Sequence, residues 1–165
     1  MPRTLIAPIL DEESRRRAVE VWRAARTATD RPPTPERLER VAAKVADRVD
    51  AGHLALLAHY GERPAGMLVA EPYRGDDGSD PAAGHLSMVF VDPALWGCGV
   101  AGALVRSVQR GDHGPGWTRL SVWTREANRR ALRLYRARGF TDTGETTTLH
   151  EGEVIRRLEW RADAP

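Results

Sequence analysis

The sequence predicts a mixed α/β fold with the element order βααβββαβαββ, and three observations carry that prediction. Short apolar runs of β type alternate with stretches whose apolar residues recur at helical spacing. Gly and Pro residues punctuate the boundaries. In the second half, each expected helix follows a strand, and the chain closes on two alternating runs that suit a hairpin. The length of 165 residues, with 41% hydrophobic and 29% charged side chains, is that of one domain over residues 1–165, large enough to bury about 70% of its unfolded surface without a metal or disulfide.

The elements follow in order. Arg3 to Leu10 suit a first strand. Asp11 or Ser14 caps a helix with Ala18, Val21, Trp22 and Ala25 on one face, and the Pro32-Pro33 pair is expected to end it. Thr34-Pro35, a cap followed by proline in the first turn, opens a second helix with Leu38, Val41, Ala42, Val45 and Val49 on one face and closes at Gly52. Two β-type runs, 53–60 and 64–73, flank the turn residues Gly61-Glu62-Arg63. A Gly-, Asp- and Pro-rich loop is expected over 74–84. Leu86 to Val91 is then a nearly continuous apolar run, as in a strand buried on both faces. Residues 97–110 read as a glycine-rich turn running into a helix, a strand follows over 117–124, and a helix over 126–138 stops at Gly139. The final hairpin is expected over 141–150 and 153–161.

Composition excludes several classes of function. The single cysteine, Cys98, rules out an intramolecular disulfide framework and points to a reducing compartment, the cytoplasm. Residues 1–10 carry no leader pattern and are expected to belong to the folded protein. No run approaches the roughly 18 apolar residues of a membrane span, so no membrane partner is expected. A net charge of +2 does not imply nucleic-acid binding. The five histidines and one cysteine show no metal-ligand spacing.

The most informative segment runs from Val91 to Gly102. It sets Gly97, Gly99 and Gly102, with Ala101, where a strand gives way to a helix. Small residues let main-chain N–H groups approach an anion, and a helix N-terminus adds unpaired donors and a positive dipole end. A diphosphate seat follows. The same glycines match the dinucleotide fingerprint, but five residues separate them from the strand, and no acid lies at Ser121 to Thr124 to grip a ribose. The nicotinamide reading fails both tests.

A second constellation lies downstream, where Asn128 and Tyr135 are seven residues apart, about 10 Å along a helix axis. Together with Val89-Phe90-Val91-Asp92-Pro93 and the glycine turn, it resembles the GCN5-related N-acetyltransferase (GNAT) family over roughly residues 85–140. The family's first signature falls on Trp96, Gly99 and Ala101, and Trp96 departs from the usual Gln or Arg. The resemblance implies a sheet splayed between the fourth and fifth strands and acetyl-CoA as acetyl donor. It further implies that main-chain N–H groups of Gly97, Cys98, Gly99, Val100, Ala101 and Gly102 hold the diphosphate. Val89, Phe90 and Val91 would line the pantetheine arm, with Val89 and Val91 pairing to it like a strand. A strand bulge near Val89 would offer an N–H to the oxyanion.

Acetyl transfer from a thioester to an amine needs a neutral nucleophile, a stabilised oxyanion and a proton for the departing thiolate. Tyr135 is the candidate acid, since a phenol of pKa about 10 holds its proton at neutral pH; the other use of this side chain is packing beside Leu132. Asn128 either hydrogen-bonds the pantetheine or caps its helix. His85, at the start of the central strand, is the candidate base or a half-exposed strand-end residue, with Glu71 in reserve. Trp22, Arg26, Tyr73 and Trp123 are candidate linings for a pocket taking a small-molecule or peptide amine. The acidic cluster Asp76, Asp77 and Asp80 reads as a solvated loop. The arginine-rich helix from Arg125 to Arg138 reads as a solvent-facing stripe, with one arginine near the cofactor's adenosine phosphate. The expected function is thus acetyl transfer to an amine by direct attack; the alternative is a non-catalytic acyl-CoA-binding module of the same fold.

Overall fold

The computed structural model describes residues 2–29, 32–76 and 78–162. Its elements are β1 (Thr4–Pro8), α1 (Glu12–Thr27), α2 (Pro35–Asp50), β2 (Leu54–Tyr60), β3 (Arg63–Gly75), β4 (Gly78–Val91), α3 (Val100–Arg110), β5 (Arg119–Arg125), α4 (Arg129–Ala137), β6 (Thr141–Thr148) and β7 (Val154–Arg161). They follow the expected order. The strands form one seven-stranded mixed sheet in the order β1-β2-β3-β4-β5-β7-β6. Among the described residues, only the β4–β5 pair is parallel.

Apolar periodicity divides the core between the two faces. Trp22, Val21 and Ala18 of α1 and Val45 of α2 bury against Leu57, Met67, Val69 and Met88 on one face. Leu104, Val105 and Val108 of α3, with Leu132 and Tyr135 of α4, bury against Leu56, Leu68, Leu86, Leu120 and Val122 on the other. The α3 contact depends on Gly66 of β3, where a Cβ would lie 2.8 Å from Val100 Cγ1 and 3.0 Å from Leu104 Cδ1. No described helix is long and apolar enough to cross a membrane.

Four boundaries differ from expectation. α1 ends at Thr27 rather than at the proline pair, because the hydroxyls of Thr27 and Thr29 donate to the carbonyls of Arg23 and Arg26 in its last turn. The expected loop over 74–84 is largely strand. β3 runs on to Gly75 and β4 starts at Gly78, the two pairing at Pro72–Gly84 and Arg74–Ser79. This arm is held by Asp80, which accepts from the Ala82 N–H and pairs with Arg119 of β5; its exposed Ser79, Pro81 and Ala82 carry no apolar alternation. Asp77 lies outside the described residues. α4 begins at Arg129, three residues late, because Asn128 is its cap and is not helical, with φ −83° and ψ 79°. The bulge in β4 falls at Ser87 instead of Val89: Leu86 faces Ala70, Met88 faces Val69, and the Ser87 hydroxyl donates to the Val69 carbonyl at 3.1 Å.

Candidate active site

The site begins where β4 and β5 part. Their parallel register runs from Ala83–Arg119 to Leu86–Val122 and stops there, although β4 continues to Val91 and β5 to Arg125. Ser87–Val91 of β4 therefore offer a strand edge that β5 does not use, facing Trp123–Arg125 across a cleft. β4 side chains alternate across it: Val89 and Val91 pack on the α3/α4 face, whereas Phe90 lies on the α1/α2 face against Trp22, ring centroids 6.5 Å apart.

Beyond Val91 the chain makes a single 3-10 turn, Pro93–Leu95, and enters the glycine segment. Gly97 and Gly99 sit at φ +84° and +81°, and a Cβ on either would project into open space. Side chains cap α1, α2 and α4 through Asp11, Thr34 and Asn128, but α3 starts on Gly99 with no side-chain cap. Among the described residues, no acceptor meets the N–H groups of Gly97, Gly99, Val100, Ala101 and Gly102, while Ala103 begins the helical ladder by donating to Gly99. The Cys98 N–H already donates to the Leu95 carbonyl at 3.2 Å, and the Cys98 thiol is free and exposed. An open cradle with five main-chain donors at a helix N-terminus fits a diphosphate.

Trp96, at the first position of this segment, is held by two contacts. Its indole N–H donates to the Val91 carbonyl at 3.1 Å, and the Arg130 guanidinium of α4 lies 3.6 Å from its ring centroid. The stack joins the glycine turn to α4. Asn128 Oδ1 accepts from the Ala131 N–H at 3.1 Å, which commits one end of the amide to the cap and leaves its NH2 end for other partners.

Tyr135 is 5% exposed and edge-on to Phe140, ring centroids 5.3 Å apart. It belongs to the apolar cluster that includes Leu86 and Val122, the last paired residues before the strands part. Burial raises its pKa well above the ordinary phenol value, so the hydroxyl keeps its proton at any physiological pH.

His85 points to the other face. Its Nδ1 is 2.9 Å from the Oγ of Ser121, its register partner on β5. On β3 its register partner is Glu71, which is ion-paired to Arg48 of α2. Burial lowers the His85 pKa; Glu71 opposes that shift, and Arg157 and Lys44 reinforce it. The ring is consequently neutral near pH 7. Glu71 is committed to Arg48 and serves His85 as a neighbouring charge. Nearby on β7, Arg157 is buried, pairs with Glu159 and lies 5.1 Å from the Tyr73 ring centroid. Of the remaining pocket candidates, Trp22 is core at 3% exposure and Arg26 is buried, whereas Trp123 is half-buried opposite Arg157.

The Ser121, Arg48 and Arg157 contacts were not anticipated. Each joins residues distant in the chain, and only the parallel register of β4 with β5 would have paired His85 with Ser121. A concavity of about 610 Å³ lies elsewhere, between α1 and α2. Among the described residues, no cluster of His, Cys, Asp or Glu is disposed to hold a metal ion.

Comparison with known proteins agrees with this geometry. The fold is similar to that of an N-acetyltransferase from Staphylococcus aureus, with TM-score 0.75 and 14% identity over 98% of this chain and 99% of that one. It is likewise similar to the ribosomal-protein-S18-alanine N-acetyltransferase of Escherichia coli, with TM-score 0.71 and 15% identity over 99% and 96%. A Salmonella typhimurium protein solved with its cofactor acetyl-CoA matches with TM-score 0.72 and 18% identity over 98% and 95%. No curated protein matches by sequence. The model of the Acetyltransferase (GNAT) family matches residues 17–140, most of the chain and all of the parting strands, the glycine turn and α4, and the chain belongs to that family.

Proposed function

We propose that the protein transfers the acetyl group of acetyl-CoA to an amine by direct attack within a ternary complex. The observation that carries this reading is the parting of β4 from β5 immediately beside the uncapped, glycine-opened N-terminus of α3. Acetyl-CoA supplies an acetyl group already activated as a thioester. The N–H groups of Gly97, Gly99, Val100, Ala101 and Gly102 hold its diphosphate, and the free edge around Val89, Phe90 and Val91 guides the arm, with the Asn128 amide within the same cleft. His85, neutral through burial, takes the proton of the attacking amine, directly or through water. A main-chain N–H of the unpaired β4 edge meets the oxyanion, and Tyr135 returns a proton to the departing sulfur. The acceptor is a small-molecule or peptide amine reaching the α1/α2 face. Cys98, free and exposed, suits a reducing compartment, the cytoplasm.

One observation favours a second reading. The Tyr135 ring is packed in the core at 5% exposure, as it would be in a domain that binds acyl-CoA without turnover. The test is thiol release from acetyl-CoA in the presence of a panel of small amines and peptides with free N-termini, alongside the melting temperature with and without coenzyme A. Amine-dependent thiol release supports transfer; a stabilised fold with no release from any amine supports the binding module.

A further inference from the structure

We propose that Arg130, docked on Trp96, is a phosphate ligand of the site and reaches the diphosphate group of coenzyme A across the mouth of the cleft. This rests on the proposed function. Trp96 immediately precedes Gly97, and its indole is fixed from below by the hydrogen bond to Val91. The guanidinium of Arg130 lies flat enough on this ring for its carbon to stand 3.6 Å from the centroid. An arginine held by cation–π contact keeps its N–H fork free for a planar or tetrahedral anion.

Charge bookkeeping around the turn points the same way. The segment 91–102 contains one acid, Asp92, and it is occupied: one carboxylate oxygen pairs with Arg63 at 2.8 Å and the other accepts from the Ala94 N–H. Arg130 has no ion pair or hydrogen bond among the described residues, and the ring it covers belongs to the residue before Gly97, where the turn leads into the uncapped start of α3. Arg138 adds to the excess, its guanidinium lying within 3.5–3.7 Å of where a Gly102 Cβ would stand, with a buried Nε that has no partner. Arg130 at Trp96 and Arg138 at Gly102 thus set two guanidinium groups along the segment that opens α3, whose positive end favours an anion. The indole also explains why this position works without a polar side chain: Trp96 supplies the platform and α4 supplies the charge.

The test is calorimetric titration of the full chain with coenzyme A and with 3′-dephospho-coenzyme A, using wild type, Arg130→Met, which keeps an apolar side chain on the indole, and Trp96→Leu, which removes the platform. Arg130 is exposed, so R130M is expected to fold as the wild type does, checked by its melting temperature without ligand. Roughly tenfold weaker binding of both ligands by R130M, with a shallower dependence on ionic strength, is the expected result. W96L is expected to lose part of the same affinity. Wild-type affinity in R130M overturns the inference and leaves the proposed function standing, as does a loss seen with coenzyme A but absent with the 3′-dephospho form. Failure of the wild type to bind coenzyme A at all overturns the proposed function and this inference with it.

Discussion

At the scale of the residue, burial keeps both candidate proton carriers in the protonation state from which the proposed reaction starts. Tyr135 is buried and its pKa is raised, so its hydroxyl holds a proton near neutrality; replacing it by Phe is expected to lower turnover by about 10² with coenzyme A affinity unchanged. Unaltered turnover would remove Tyr135 from the mechanism. For His85 the folded pKa lies below the ordinary 6.5, so an unfolded chain takes up a proton before the folded one does. Its contribution to stability is thus complete above pH 6.5 and is lost as pH falls from there through the lower folded value. Melting temperatures of wild type and His85→Gln between pH 8 and 5 should diverge below about pH 6.5, the wild type falling more steeply; parallel curves would show that the ring is not held neutral by burial. Tyr135 and Asn128 were legible as candidates because they lie in one local stretch. The Ser121 contact to His85 was not, because 36 residues separate the partners.

At the scale of the element, small residues set the distances on which the seat depends. Gly84 lets Trp117 lie flat on β4, where a Cβ would stand 2.4 Å from the ring atoms Cδ2 and Cε3. Gly84→Ala is expected to cost about 1–3 kcal/mol through overpacking, read as a lowered melting temperature; an unchanged melting temperature would mean that the indole moves aside freely. Gly99 is different, because the space beyond it is open and its φ is +81°. Gly99→Val is strained by about 1–2 kcal/mol and also fills the cradle, so coenzyme A affinity should fall by more than the stability loss explains. Equal affinity in G99V would count against the seat. Element types and order were readable from apolar period and turn chemistry, as the caps at Asp11 and Thr34 show. The extension of β3 and β4 past the core was hidden, because a ribbon exposed on both faces needs no apolar alternation, and the Ser87 bulge was hidden because a serine in a strand carries no mark of it.

At the scale of the whole molecule, the sheet separates the two partners of the proposed reaction. The diphosphate seat, Trp96 and Tyr135 belong with α3 and α4, whereas His85, Ser121 and Trp123 belong with the opposite face, where α1 and α2 cover β2, β3 and β4 but make no comparable contact with β5 or β7. The cleft past Leu86 and Val122 is where the two faces communicate. This separation bears on the kinetic mechanism. A covalent route would need a nucleophile on the protein between the faces, and the single thiol, Cys98, lies exposed in the glycine turn, at the proposed diphosphate seat and away from the proposed place of the thioester. With acetyl donor and amine approaching from opposite faces, neither blocks the other, so both must be present before the acetyl group moves. Initial-rate lines at varied acetyl-CoA and amine should therefore intersect, and Cys98→Ala should retain turnover within about twofold, as a surface substitution away from the reacting atoms does. Parallel lines, or an inactive C98A that still binds coenzyme A, would mean that an acetyl-enzyme forms and that the opposite-face geometry does not govern the reaction.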